Sequence, residues 1–551
     1  MRFWKRSIRQ DDRSDRDFTR ARRPSRKRRL QLENLEGRAL LSTWTLSETF
    51  GTKGVREVVV QFNNRPPTIV PITANPPPTF VLIPYEFDTV NVLDTKAGVP
   101  ILIRGNTQNT IDVGDLGSVQ GILARVTIVD PTNRNTIFIN DQADPAARTA
   151  TLSTSAPGMG EVTGLAPAPI TFAYSGTSSV YLEIGTGYDA VDVQATGVPT
   201  NIFNFGRDTA VNVGNAGSVQ GIQGYLNIYN YPVNLPGGNP ITIDDSADPA
   251  GRMATLYASD YDPSDDPEWL EDTVTGLAPA PIQYNILGTQ SLAVQTGTGA
   301  DTVNVQDTDV PTYIHNHGPS TVNVGDAGSV EGIEEALYVL GPPSLHVPGL
   351  PNPGTTLNID ASAYSVPDFA TLGSTGFGGE WGYVTGLAPA PINYLYASTS
   401  SMHLTTNHTG YTIDVQATGV PTYITTSGYS MNPAPDPDTV NIGNAGSLQG
   451  ILSALYVSNP SNSTAVHIDD SADTVHQAAT LSSFTGSDGR DWGSIAGLAP
   501  AAINFTWGEM FNQRVDVSAP MLGTNISWTV NPDAYESVVG VYVFANGLAI
   551  N

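Results

Sequence analysis

Nine residues, Val162-Thr163-Gly164-Leu165-Ala166-Pro167-Ala168-Pro169-Ile170, return unchanged from Val274 to Ile282 and from Val384 to Ile392. They return slightly altered from Ile495 to Ile503. The glycine of this phrase falls at Gly164, Gly276, Gly386 and Gly497, at spacings of 112, 110 and 111 residues. A second phrase, Val113-Gly114-Asp115-Leu116-Gly117-Ser118-Val119-Gln120-Gly121-Ile122, runs in step, with copies beginning at Val213, Val324 and Ile442. A fixed period of this kind predicts stacked units that share one continuous core.

Short strands dominate the repeated region. Asp88-Thr89-Val90-Asn91-Val92 has relatives at 109–113, 189–193, 301–305, 320–324, 411–415 and 438–442. Each alternates polar and β-branched residues with period two, the pattern of a half-buried strand. Val90 and Val92 are expected to point inward, with Thr89 and Asn91 facing out or stacking in ladders. Gly, Asn, Asp and Pro between the strands supply turn geometry. The best helical stretch, Gly332 to Leu340, is short.

Strand starts recur about every 20 to 25 residues, the length of a single solenoid coil. About five coils per unit, stacked at roughly 4.8 Å, predict about 20 coils and a rod of order 90 to 100 Å. The expected fold is all-β, a parallel β-solenoid (β-helix) of four units of about 110 residues. A string of four β-sandwich domains of the same size is the alternative. The chain divides on this reading into a basic, disordered export or sorting segment (1–42), an N-terminal β cap (43–85), the repeat solenoid (86–515) and a C-terminal β cap (516–551). Pro-, Gly- and Asn-rich insertions at 230–239, 341–354 and 427–438 absorb the uneven spacing of the second phrase and are expected to project from the stack.

Charge is distributed unevenly. Residues 1–40 hold 14 of the 26 Lys and Arg but 6 of the 53 Asp and Glu, so the remainder carries a formal charge of −35. After Arg252 the only basic residues are Arg490 and Arg514. Such a body repels nucleic acid and anionic membranes and attracts cations. There is no cysteine, hence no disulfide or thiolate chemistry. No apolar stretch reaches the ~18 residues of a membrane helix.

The basic run Arg22-Arg23-Pro24-Ser25-Arg26-Lys27-Arg28-Arg29 precedes Leu35-Glu36-Gly37-Arg38-Ala39-Leu40-Leu41. This resembles the Leu-Glu-Pro-Arg-x-Leu-Leu sorting motif at the start of large, repeat-rich surface proteins of certain Gram-negative bacteria. Leu35, Glu36, Arg38, Leu40 and Leu41 match, and Gly37 stands where that family has Pro. The repeats at 86–515 resemble the β-strand repeats of bacterial surface and adhesin-like proteins, in which glycine turns precede an Asp-Thr-Val/Phe-Asn-Val strand. Both resemblances imply export to the cell surface or the extracellular space and a structural or adhesive rod without catalysis. The partners implied are surface polysaccharide or other cell-surface proteins, not nucleic acid.

Gly185-Thr186-Gly187-Tyr188-Asp189 and Gly297-Thr298-Gly299-Ala300-Asp301 resemble the calcium-binding nonapeptide of repeats-in-toxin proteins. That resemblance implies calcium as a cofactor, with Asp189 and Asp301 as ligands. Thr186 and Thr298 replace the family's second glycine, and the motifs are not in tandem. Acidic turns recur at 140–144, 244–248 and 469–473, either as further Ca²⁺ ligands or as carboxylates capping turn amides. His315-Asn316-His317 could present two imidazoles to Zn²⁺, but no third His lies nearby. No Gly-x-Ser-x-Gly elbow, phosphate-binding Gly-Lys-Ser/Thr loop or His-Glu-x-x-His helix occurs. A calcium-dependent carbohydrate-binding rod and a carbohydrate-active β-helix enzyme are the alternatives, and a catalytic site would have to be a feature that the repeats do not share.

Overall fold

The computed structural model describes the backbone of most strands from Thr43 to Ile550. It describes side chains from Thr89 to Ser518, except 105–107, 131–134, 188, 232–237, 260–269, 342–353, 364–368, 377–378, 407–409, 427–437, 460–463, 474–476 and 507–516. The basic segment and the inner parts of all three insertions lie outside the described residues. By its internal contacts the chain divides into residues 1–41 and 42–551, and every strand of the fold belongs to the second unit.

Alternation of β-branched and polar residues gives strands with one buried face. In Thr89–Val92, Val90 and Val92 are fully buried while Thr89 and Asn91 are half-exposed. The strand pairs in parallel with Thr110–Val113, which pairs in parallel with Asn135–Asn140. Between them the chain crosses to Ile101–Arg104 and Val126–Val129, which pair with each other. Each coil therefore has two strands, one in each of two facing sheets of 22 and 21 strands. The inward valines, isoleucines and leucines form one unbroken core from Val90 to Val517. Parallel pairing continues across every repeat boundary, as from Thr200–Asn204 to Leu226–Asn230 and on to Ile282–Asn285. This establishes the solenoid over tandem β-sandwiches, which would close their sheets within each unit.

The outward polar positions form the expected ladders. Asn358 Nδ2 donates to Asn323 Oδ1 (2.8 Å), and Asn323 Nδ2 donates to Asn304 Oδ1 (2.9 Å). Equivalent positions in the opposite sheet link Asn212 to Asp192 (2.9 Å) and Asn441 to Asp414 (2.7 Å). Aromatic rings stack likewise from coil to coil: Phe138 on Tyr181, Tyr181 on Phe203, Phe203 on Tyr229. The stretch from Gly332 to Leu340 is a turn followed by the strand Leu337–Leu340, because Leu337 and Val339 alternate with period two into the core.

Coil count departs from the expectation of five per unit. From Val126 to the equivalent Leu226 the chain makes seven passes between the sheets, three and a half coils. The remaining residues form an antiparallel excursion within one sheet. Thr149–Ala156 lies parallel to Ala190–Val193, turns back as Met159–Thr163, and turns again as Ile170–Ala173. The last of these closes in parallel on Val126–Val129. Because seven is odd, each repeat begins in the opposite sheet from the last. The excursions accordingly alternate: 149–173 and 369–395 in one sheet, 253–285 and 480–506 in the other. An excursion widens its sheet by two strands, roughly 10 Å, and alternation cancels that surplus over each pair of repeats.

The two repeated phrases are partners in space. Residues 164–169 form the second turn of the excursion, and 114–122 form a hairpin and corner one coil away. Ala168 N–H donates to the Ile122 carbonyl (3.1 Å), Val126 N–H to that of Pro169 (3.1 Å), and Gln120 Nε2 to that of Leu165 (3.0 Å). The same amide contacts join Ala280 to Ile222, Ala390 to Ile333 and Ala501 to Ile451. In the hairpin, Asp115 and Ser118 exchange both backbone hydrogen bonds around Leu116 (φ 50°) and Gly117 (φ 79°). Two positive φ values identify a type I′ turn, which favours Asn-Gly. Leu116 is 93% exposed and gains little from burial. Leu116→Asn is expected to stabilise the protein by about 1 kcal/mol, read as a higher urea midpoint.

Candidate functional site

The acidic turns are built around backbone amides. Asp141 and Asp245 are fully buried, and their Oδ1 atoms accept from Val119 N–H (3.0 Å) and Val219 N–H (2.9 Å). Asp144 and Asp248 cap the next turn through Ala146 and Ala250 and hold Arg148 and Arg252 in ion pairs of 3.0 and 2.8 Å. Asp189 (4% exposed) and Asp301 (2% exposed) accept the amides of those same arginines, at 2.6 and 2.7 Å. Burial pushes the Asp189 carboxyl above its usual range, opposed by the Arg148 amide. Asp189 and Asp301 precede strands in opposite sheets, so the structure does not bring them together. Each belongs to its own Asp–Asp–Arg cluster.

The fourth repeat keeps Asp470 and Asp473 but has Gln477 where the first and second repeats have Arg148 and Arg252. Gln477 Nε2 donates to Asp473 Oδ2 (2.8 Å). Burial first, then the Asp473 carboxylate, pushes Asp470 up to about 6, opposed by the Leu448 amide and reinforced by Asp469. An aspartate raised in the folded state binds its proton more tightly there than in the unfolded chain. Its protonation therefore favours folding below about pH 4, and this contribution is lost as pH rises through about 6. Gln477→Arg should flatten that loss and add about 1 kcal/mol at pH 7. Urea midpoints of both proteins between pH 4 and 7 test this.

His315 and His317 flank the buried Asn316, which donates to Thr355 Oγ1 (2.9 Å). Nδ1 of His317 lies 3.0 Å from the Thr296 carbonyl oxygen. Burial and the neighbouring His317 lower the pKa of His315. A cavity of about 210 Å³ in the third repeat is lined by Ser374, Gln416, Ala417, Asn444, Ser447 and Gly450, none of them ionisable. Among the described residues no helix is long and apolar enough to cross a membrane.

One site departs from the repeat. In the first repeat the ring of Tyr174 lies between Gly160 of the excursion's middle strand and Gly197 of the next corner. A β-carbon on either glycine would collide with that ring. The third repeat does the same with Gly382, Tyr396 and Gly419. In the second repeat Ile286 takes the tyrosine's place: its N–H donates to the Leu270 carbonyl (3.0 Å), as Tyr174 N–H does to that of Gly158 and Tyr396 N–H to that of Glu380. The two glycines become Asp272 and Asp309, and Ala195 becomes Asp307. One oxygen from each of these three carboxylates lies within 4.8 Å of the others.

Asp272 is 4% exposed. Its Oδ2 accepts from the buried Tyr284 hydroxyl (2.9 Å), whereas its Oδ1 and the Oδ1 of Asp307 are buried without a hydrogen-bond partner. Burial, then the Asp309 carboxylate, pushes Asp272 up to about 8. Burial, then Asp309 and Glu334, pushes Asp307 up to about 7. The Tyr284 hydroxyl is raised well above its usual range by burial and by Asp272, so it keeps its proton, which it donates to Asp272 Oδ2. The ion pairs among the described residues involve Arg125, Arg148, Arg252 and Arg490, and none reaches this cluster. Sequence reasoning missed the site by attending to what the repeats share. The signal was four coordinated departures at 272, 286, 307 and 309.

No protein-family model matches the sequence, and neither a curated protein nor a solved structure matches it.

Proposed function

We propose that the chain is an exported, surface-associated or extracellular structural and adhesive β-solenoid with no catalytic role. The observation that carries this reading is the half-turn per repeat: equivalent surfaces alternate between the two sheets. A stack that shows the same chemistry on both sides suits a spacer or matrix component that bridges two surfaces. The strongly acidic body keeps such a stack soluble and away from nucleic acid. Many weak contacts along repeated faces add through effective concentration rather than through one deep pocket. Surface polysaccharide and neighbouring surface proteins are the partners that fit, and the Leu35-to-Leu41 motif supports export.

Localisation and binding test the reading together. Full-length protein produced in a Gram-negative bacterium that carries the matching sorting system should be degraded by protease added to intact cells. A form lacking residues 1–42 should stay protected inside. Full-length protein that remains protected would overturn export. Incubated with purified surface polysaccharide, the protein should co-sediment without releasing new reducing ends. Release of reducing ends or unsaturated sugars would establish an enzyme instead.

A further inference from the structure

We propose that Asp272, Asp307 and Asp309 form a single binding site for a divalent cation of the calcium class, present in the second repeat alone. Three observations carry the proposal. The carboxylate oxygens are mutually within 4.8 Å, a separation that oxygens at 2.3–2.6 Å from one shared Ca²⁺ would show. The Asp272 side chain is almost completely buried and its Oδ1 has no hydrogen-bond partner. A buried carboxyl group either holds a proton or has its charge compensated by a cation. No arginine or lysine among the described residues pairs with this cluster, so a bound metal ion is the cation that would let the three carboxylates ionise together.

The third observation is the substitution pattern. Removing a tyrosine plug would leave a void costing several kcal/mol in a packed interior. At the corner, aspartate in place of Gly197 or Gly419 would be excluded while the plug ring is present. At the middle strand a β-carbon on Gly160 or Gly382 meets both the plug and the Phe172 or Tyr394 ring, whose counterpart Tyr284 is kept here and holds Asp272. The second repeat makes these changes together, so space once filled by a ring is lined by oxygen. This separates the cluster from the acidic turns of the first and second repeats, where Arg148 and Arg252 supply the counter-charge. Oxygen-only ligands select hard cations over Zn²⁺ or Cu²⁺. Ca²⁺ is favoured over Mg²⁺ because its coordination tolerates the irregular geometry of a corner and a strand.

The Tyr284 hydroxyl has a defined part in this arrangement. It holds Asp272 Oδ2 at 2.9 Å and leaves Oδ1 for the ion. Such support from outside the ligand set orients a ligating carboxylate and tunes affinity. Tyr284→Phe is therefore expected to weaken the site several-fold without abolishing it.

The test is calorimetric titration of the full chain with CaCl₂ at physiological ionic strength, with melting curves in calcium and in excess chelator. Wild type should show one saturable site and a higher melting temperature in calcium, because a ligand that binds only the folded state raises stability. Asp309→Asn should weaken binding at least tenfold. A second variant gives this repeat the plug of its neighbours: Asp272→Gly, Asp307→Ala, Asp309→Gly and Ile286→Tyr. It should lose the site yet melt in chelator at or above the wild-type temperature. Absence of saturable binding in wild type would overturn the proposal. So would undiminished binding by Asp309→Asn, which would place the ions on the acidic turns. Tighter binding of Mg²⁺ or Zn²⁺ than of Ca²⁺ would overturn the calcium assignment.

Discussion

Gly164→Ala is expected to destabilise the first repeat by more than about 3 kcal/mol, whereas Gly158→Ala, six residues away, should cost about 1 kcal/mol. Both glycines have left-handed backbone, with φ of 80° and 77°. Each substitution therefore carries the same penalty for placing a β-carbon in that region. The surroundings differ. A β-carbon on Gly158 meets nothing within 4 Å, while one on Gly164 collides with the Thr149 carbonyl oxygen. That carbonyl belongs to the strand that opens the excursion, and the strand's register with Ala190–Val193 begins at Thr149. Relieving the collision means pulling this strand off its neighbour, and Ala150 and Leu152 out of the core with it. Met253, Phe369 and Ala478 present the same carbonyl to Gly276, Gly386 and Gly497, so the effect should recur in every repeat. Solenoid repeats unfold in part independently. Hydrogen exchange resolved along the chain is thus the suitable measurement: lost protection at 149–173 in the Gly164 variant, near-native protection in the Gly158 variant. Equal losses would mean that backbone conformation alone explains the glycine.

Much of the fold was legible because two of its determinants are local. Period-two alternation in segments such as Thr89–Val92 identifies the strands and their inward faces, and a fixed spacing of phrases identifies stacking. The half-turn was not legible. It depends on whether a repeat contains an odd or even number of passes, and that parity is decided by whether 149–173 crosses the stack or folds back within one sheet. Strand propensity is the same in both cases. The acidic turns were readable as turns, since Asp141, Asp245 and Asp470 recur with their neighbours, and repetition is what a structural role looks like. Asp189 and Asp301 matched a nonapeptide in type but not in tandem arrangement, and the structure places each on its own backbone amide. Asp272 lies 35 and 37 residues before Asp307 and Asp309, across the excursion and corner. Only a comparison of the second repeat with its siblings in three dimensions joins them.

Deleting one full coil should leave a folded protein, and deleting half a coil should not. Residues 190–209 contain one strand of each sheet, Ala190–Val193 and Thr200–Asn204. Their removal joins Asp189 to Ala210, and the turns before Ala190 and before Ala210 are both five residues long (185–189 and 205–209). Register is conserved through the cut. Thr149 pairs with Ala190 and Ala190 with Ala210, while Val180 pairs with Thr200 and Thr200 with Leu226. Tyr181 would then stack on Tyr229 instead of Phe203. The shortened chain should retain its β circular dichroism and a sharp thermal transition. Removing 200–209 alone deletes a single pass, and every later strand must change sheet. The excursion at 253–285 would then share a sheet with that at 149–173, giving that sheet a surplus of four strands, about 19 Å, with nothing opposite to match it. The inward valines and isoleucines beyond the cut would lose their facing partners. Aggregation or a partly unfolded chain is expected. The two deletions differ by ten residues and share one boundary, so opposite outcomes would isolate pass parity as the cause. Two folded products would show instead that the stack tolerates excursions on one side.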